Sequence, residues 1–398
     1  MTKGYGLHSL GMVNAMGQDL AEIEDRLFGG ETGLQPGFLL KTTGAQVPVG
    51  EVREALPPLP NHLLAYNCRN HRLAYAAYLQ IEADIAALRQ RLGPHRVGVV
   101  LGSSTAGLDA TEEAYRIWHE VGDIPPQFDF QKQHVMGSVA ALVAQAAGLT
   151  GPSYTLSTAC TSSAKAMISA RDLLDAGFCD AVITGGVDTL CHMTLNGFEA
   201  LGALSREQCL PMSVHRSGLN IGEGAAFFIM TREPAPVMFL GAGESCDAHH
   251  MSAPHPEGEG AEAAMASALL DAGLTPGQID YLNLHGTATP QNDSMEAKAV
   301  SRLLGPVPCS STKPLTGHCL GAAGAIEAAF CWLALGRRAA VPLPPHCWDG
   351  VQDTEIPQLS LVKPGARLAT TGPHYFMSNS FAFGGNNCSL IFEGKGDD

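Results

Sequence analysis

Short apolar runs alternate with amphipathic stretches along most of the chain. RVGVVLGSS (96–104), SYTLST (153–158), DAVITGGVD (180–188), VMFLGAGES (237–245) and YLNLHGT (281–287) are brief, β-branched or apolar, and bounded by small residues, as buried strands are. Helical patterns run over 67–92, 136–148, 259–273, 293–304 and 321–336, and over TSSAKAMISARDLLDAG, which Gly177 stops. An earlier helix is expected from about Gly17 to the pair Gly29–Gly30. Residues 36–60, with five prolines, read as a loop, 112–133 as a polar connection and NCSLIFEG as a closing strand. Strands alternating with helices predict a layered α/β protein with buried sheets. TREPAP, near 230–236, divides the chain into 1–235 and 236–398, two comparable parts without a residue-level repeat.

Composition narrows the function. Hydrophobic residues make up 45% and charged residues 16% of 398, which excludes a disordered or fibrous chain. A net charge of −15 offers no field for phosphate backbones, so nucleic acid is not an expected partner. No run approaches ~18 apolar residues, so no membrane span is expected, and the N-terminus lacks the apolar core of a signal peptide. The 11 cysteines are an odd number, scattered, with no CxxC, which fits reduced thiols and a cytoplasmic location.

Four segments carry candidate chemistry. Cys160 sits between a strand end and a helix start, where backbone N–H groups and the helix dipole favour a thiolate; a lowered thiol pKa is expected. The small neighbours Thr158, Ala159, Thr161 and Ser162 leave a substrate room. His285, in HGTATPQND, projects from the carboxyl end of an apolar strand, with Thr287 and Thr289 placed to hydrogen-bond an amide-bearing ligand. STKPLTGHCLGAAGA brings Lys313 and His318 together ahead of an alanine-rich helix, without a phosphate-loop signature. NSFAFGGNN (379–387) is a strand-to-turn junction with Phe381 and Phe383 alternating. Each segment alone reads equally well as core.

Their order and spacing decide. With GLHSLGMVNAMGQDL, GPSYTLSTACTSS, GEGAAFFIM and ESCDAHHMSAPHPEG, they make nearly the whole chain resemble the elongating β-ketoacyl-acyl-carrier-protein synthases, condensing enzymes of the thiolase-like superfamily. The resemblance implies two similar βαβαβαββ halves in a five-layer α-β-α-β-α arrangement, normally a homodimer, with a heterodimer of ketosynthase-like subunits as the variant. It implies Cys160 as acyl-carrying nucleophile, His285 and His318 serving malonyl decarboxylation, and Lys313 tuning them with Glu296 in support. Phe383 would supply an oxyanion N–H and gate the pocket, beside Phe381, while Thr287 and Thr289 bind the phosphopantetheine arm. That arm arrives on acyl carrier protein, so no cofactor or metal is implied; Arg69 and Arg72 match the region where carrier protein docks. A thiolase would need a second catalytic cysteine, and initiating ketosynthases have asparagine where His318 stands. A scaffold that only docks carrier protein would need neither histidine. Ser213, Ser217, Asn292, Asn386 and Lys165 depart from the family pattern, which points to a specialised polyene or polyketide-type member rather than housekeeping fatty-acid elongation.

Overall fold

The computed structural model describes residues 4–337, 340–368 and 372–395. The first half runs through β1 (Tyr5–Asn14), α1 (Leu20–Gly29), β2 (Gln35–Leu39), β3 (Gln46–Val49), α2 (Arg69–Leu92), β4 (Val97–Gly102), α3 (Leu108–Val121) and α4 (Ser138–Ala147). It continues with β5 (Ser153–Leu156), α5 (Ser162–Asp175), β6 (Ala181–Asp188), α6 (His192–Ala200) and β7 (Gly224–Thr231). The second half holds β8 (Val237–Cys246), α7 (Glu259–Ala272), β9 (Tyr281–Asn283), α8 (Pro290–Leu303), β10 (Pro308–Ser310) and α9 (Lys313–Thr316). It closes with α10 (Ala323–Leu335), β11 (Ser360–Leu361), β12 (His374–Phe381) and β13 (Asn386–Gly394).

The main sheet has 11 strands in the order β11-β10-β9-β12-β13-β8-β1-β7-β6-β4-β5, and this order contains a duplication. The series β1-β7-β6-β4-β5 and β8-β13-β12-β9-β10 pass through corresponding strands with the same parallel and antiparallel relations. The two arrays join along β1 and β8, where Tyr5 faces Phe239 and Gly6 faces Met238.

Three hydrophobic clusters separate the layers. One lies under α2 and α4, a second surrounds α5 and α10 between the arrays, and a third lies under α7 and α8. Strand β7 shows how the pleat feeds two of them: Ala226, Phe228 and Met230 face the middle, Ala225, Phe227 and Ile229 the outer side. Helix α10, AGAIEAAFCWLAL, is apolar nearly all round because strands of both arrays pack on it. The packing is the five-layer thiolase-like arrangement.

Several elements differ from the sequence expectation. Strands β1 and β7 were not foreseen, and of β12 only the end at the 379–387 strand-to-turn junction was. Residues 36–60 contain β2 and β3, and 112–133 begins inside α3 and includes a π-helical turn at Phe130–His134. The glycines of β1 are responsible for one of these differences. A Cβ on Gly11 would lie 2.1 Å from the Ala77 carbonyl oxygen of α2, so this glycine marks close helix–strand approach, not a turn.

Gly102, the last residue of β4, has the same role beside the nucleophile's helix: a Cβ there would sit 2.3 Å from the Ser163 nitrogen. Gly102→Ala should therefore push α5 off the sheet and destabilise the protein by about 1–3 kcal/mol in urea unfolding. An unchanged midpoint would contradict this packing.

Candidate active site

Three loops bring the site together, and each is held from behind. Before α5, Ala159 adopts a left-handed backbone (φ 54°), a conformation that costs an alanine about 1–2 kcal/mol. Its carbonyl accepts from the Ser162 backbone N–H (3.1 Å) and hydroxyl (2.6 Å), and that hydroxyl accepts from the Thr158 N–H at 2.9 Å. The tight turn sets Cys160 at the head of the helix.

His285 lies two residues past β9. Its backbone N–H and that of Gly286 each donate to the Glu296 carboxylate on α8 at 2.7 Å. His318 follows α9 and is pinned to the first half: its N–H donates to the Asn220 carbonyl (2.7 Å), and its own carbonyl accepts from Gly222 (3.0 Å). The Asp188 carboxylate, buried at the end of β6, accepts from the Ser103 hydroxyl (2.8 Å), the Thr105 hydroxyl (2.7 Å) and the Gly321 N–H (2.6 Å), tying the loop after β4 to the His318 loop.

The three side chains converge. His318 Nε2 is 3.0 Å from Cys160 Sγ, the two imidazoles meet edge to face with centroids 5.4 Å apart, and the donor atoms of all three lie within 4.8 Å of one another. Among the described residues this is the one cluster with metal-ligand spacing. Lys313 is 1% exposed; its ammonium donates to the His285 carbonyl and to Glu327 Oε1, the latter at 2.5 Å. That ammonium opposes a further cation beside the cluster.

The charge states follow from burial. Both imidazoles are held well below the ordinary histidine range by burial and then by the Lys313 charge, with His318 adding to the effect on His285. Burial pushes Glu296 up to about 7 against the two backbone N–H groups that favour its carboxylate. Cys160 departs from expectation. Burial pushes its thiol up to about 12, and Lys313 and the Phe383 backbone N–H pull only partly the other way. The helix start is present, but complete burial outweighs it, and the resting pair is a neutral thiol beside a neutral imidazole.

A cavity of about 460 Å³ opens on the sulfur and both imidazoles. Thr287 and Thr289 line it with their hydroxyls 2.9 Å apart, as do Phe381, 5.9 Å from the His285 ring, and Phe383. Phe198 of α6, unnoticed in the sequence, stacks on Phe383 at 5.4 Å.

Arg69 and Arg72 keep part of their surface in solvent and also make internal contacts. Arg69 binds the buried Glu223 carboxylate (Nε to Oε2, 2.9 Å) and the Val52 carbonyl; Arg72 donates to the Leu56 and Pro57 carbonyls. Both guanidiniums fasten α2 to the 50–57 segment, and that of Arg69, through Glu223, also to the start of β7. Glu327, Asp188 and Glu223 were all missed. The usable signal was one acidic residue in an otherwise apolar run: Glu327 is the only charge in α10 and Asp188 the only one in β6. Among the departures, Ser217 meets Ser205 (3.1 Å), the Ser213 hydroxyl accepts from the His215 N–H (3.0 Å), and Asn292 donates to Asp293 (3.2 Å).

Comparison with known proteins agrees with this geometry. Residues 69–235 match the family model of the β-ketoacyl synthase N-terminal domain, and 237–346 that of its C-terminal domain. The chain is 31% identical to nodulation protein E of Rhizobium meliloti, covering 99% of this chain and 100% of that protein. It is 33% identical to 3-oxoacyl-[acyl-carrier-protein] synthase 2 of Staphylococcus aureus, over 75% of each. Its fold superposes on a chain of the Xenorhabdus doucetiae ketosynthase–chain length factor complex with a TM-score of 0.91 and 41% identity, covering 98% of both. The chain belongs to the β-ketoacyl synthase family of thiolase-fold condensing enzymes.

Proposed function

We propose that this chain extends a carrier-bound acyl chain by two carbons through decarboxylative condensation, with Cys160 as the acyl acceptor. The observation that carries this reading is the meeting of one buried thiol with two neutral imidazoles on a single cavity floor. In the first step the sulfur attacks the carrier thioester, its proton moves to His318 Nε2 at 3.0 Å, and the departing carrier thiol takes that proton. In the second, malonyl thioester loses CO2, and the enolate oxygen rests between the imidazoles as N–H donors. The carbanion attacks the acyl carbonyl on Cys160. The N–H groups of Cys160 and Phe383 hold the oxyanion, and sulfur leaves. His318 must accept in one step and donate in the other. Nδ1 of both imidazoles has no hydrogen-bond partner among the described residues, so no protein group holds the Nδ1 side and His318 is free to change tautomer between the two steps.

Supporting roles follow from position. Glu296 holds the His285 backbone, Lys313 orients the same loop, and Thr287 and Thr289 face the path of the pantetheine amides. Phe381 and Phe383 wall the acyl side, with Phe383 as the gate. The pantetheine arm comes with the carrier protein, and the chemistry calls for no metal or further cofactor. The partner is a second thiolase-fold subunit. The full-length likeness to a chain of a ketosynthase–chain length factor complex favours a heterodimer and, with the departures from the family pattern, a specialised polyketide or polyene pathway. No helix among the described residues is long and apolar enough to cross a membrane, and the 11 unpaired thiols fit the reducing cytoplasm.

Intact mass after incubation with acyl-carrier protein should show one acyl group, on Cys160. His285→Ala should lower malonyl-carrier decarboxylation by roughly 10²–10³ while leaving Cys160 acylation largely intact. Equal loss of both steps would contradict the division of labour, and a Cys160→Ala variant with full biological function would favour a docking scaffold. The thiol's raised pKa gives a second test. The thiolate fraction grows about tenfold per pH unit below the pKa, so iodoacetamide labelling of Cys160, read by peptide mapping, should climb steeply from pH 7 to 9. A plateau near neutrality would reveal a standing thiolate–imidazolium pair.

A further inference from the structure

Two of the departures from the family pattern touch each other. Lys165 leaves α5 in the first turns after Cys160, and its ammonium pairs with Glu244 of β8 at 2.9 Å and donates to the Asn386 amide oxygen at 3.4 Å. Glu244 and Asn386 belong to the second half, so a side chain from the nucleophile's helix reaches across to the opposite array. Asn386 opens β13 and closes the turn that carries Phe383. Its carbonyl accepts from the Ala382 N–H at 2.7 Å, the Gly385 N–H donates to the Ala382 carbonyl at 3.0 Å, and its amide nitrogen lies 3.7 Å from where a Cβ on Gly384 would stand. Gly384 and Gly385, at φ 86° and 77°, are the glycine hinge of that turn.

Geometry gives this contact a consequence. The N–H of Cys160 comes from the start of α5 in the first half, and the N–H of Phe383 comes from the β12–β13 turn in the second. Their separation is fixed by how the two halves are held at this point, and Lys165 spans the gap. We infer that Lys165 and Asn386 form one positioning unit, a strap that sets the spacing of the two backbone donors around the Cys160 sulfur and so the rate of acyl transfer to it. The inference rests on the reading of Cys160 as acyl acceptor. Glu244 is substantially exposed, so the pair adds little to stability, and its effect is on position. An imidazole at 165 lacks the reach of the lysine stem, and a threonine at 386 has no amide oxygen to offer it, so either change breaks the Lys165–Asn386 contact.

The test is a double-mutant cycle of Lys165→His, Asn386→Thr and the pair. It measures acyl transfer to Cys160 by intact-mass time course and, on the same preparations, malonyl-carrier decarboxylation. Each single change should slow loading about tenfold, a partial loss of the effect of an oxyanion donor. The double variant should also be slowed about tenfold, not by the hundredfold product of independent sites. Decarboxylation should stay near the wild-type rate, and Lys165→Arg should recover most of the loading lost in Lys165→His. Multiplicative losses, singles that load like wild type, or parallel falls in both activities would overturn the strap. A wild-type chain that never loads Cys160 would instead overturn the function on which the strap rests.

Discussion

Lys313 carries its charge into a pocket where almost none of it meets water, and the burial of the whole site, with that ammonium enclosed in it, sets the protonation there. An ammonium can be buried only when its donors find partners; here Glu327 from α10 and the His285 carbonyl supply them. Breaking such a pair strands the remaining charge at about 3–5 kcal/mol, so lysine and glutamate stand or fall together. Burial and, after it, the same positive charge keep both imidazoles neutral, and the charge favours anions nearby. In the proposed reaction the site therefore opposes cations at rest and supports the thiolate, enolate and oxyanion that appear in turn. The thiol stays protonated until a substrate arrives, because burial of the sulfur outweighs the attraction.

Convergence has a backbone cost that is visible in the dihedral angles. Ala159, Ala288 and Leu320 take φ values of 54°, 62° and 49°, each within three residues of Cys160, His285 or His318. Side-chain residues in this region are strained, and strain persists only where the surroundings over-determine the conformation. Ser162 does this for Ala159. For Ala288 the Asp293 carboxylate accepts its N–H at 3.1 Å, and for the Leu320 turn Asp188 accepts from Gly321 at 2.6 Å. Buried acids thus act as clamps on bent loops.

This explains what could be read from the sequence. Cys160, His285, Lys313 and His318 were legible because their local segments, each ambiguous alone, occur together in one order and spacing, and that pattern survives without coordinates. The layered fold was legible from the same alternation. The clamps were not, since Glu327, Asp188 and Glu223 act on groups 14 to 154 residues away, and a lone acid does not announce its partner. The internal contacts of Arg69 and Arg72 were hidden for the same reason. A basic pair on a helix reads as a surface patch, and the carboxylate and carbonyls that bind it lie elsewhere in the sequence. Strands β1 and β7 were missed in part because Gly11 and Gly224 serve close packing rather than turns.

The duplicated topology shows how one arrangement yields a nucleophile on one side and acid–base groups on the other. Cys160 lies between β5 and α5, and His318 lies in the corresponding segment between β10 and α10. The loop after β4 carries Ser103, Ser104 and Thr105, and its counterpart after β9 carries His285, Gly286 and Thr287. Asp188 and Phe381 end the matching strands β6 and β12. In the first half the hydroxyls are consumed by Asp188, so that end of the array is spent on holding the His318 loop. In the second half Glu296 holds the His285 and Gly286 backbone N–H groups and, at 3.4 Å, the Asn379 amide, and the His285 imidazole is left free to face the cavity. The equivalent loops differ in what their carboxylates leave free: Asp188 takes up the hydroxyls along with backbone N–H groups, whereas Glu296 leaves the imidazole unengaged.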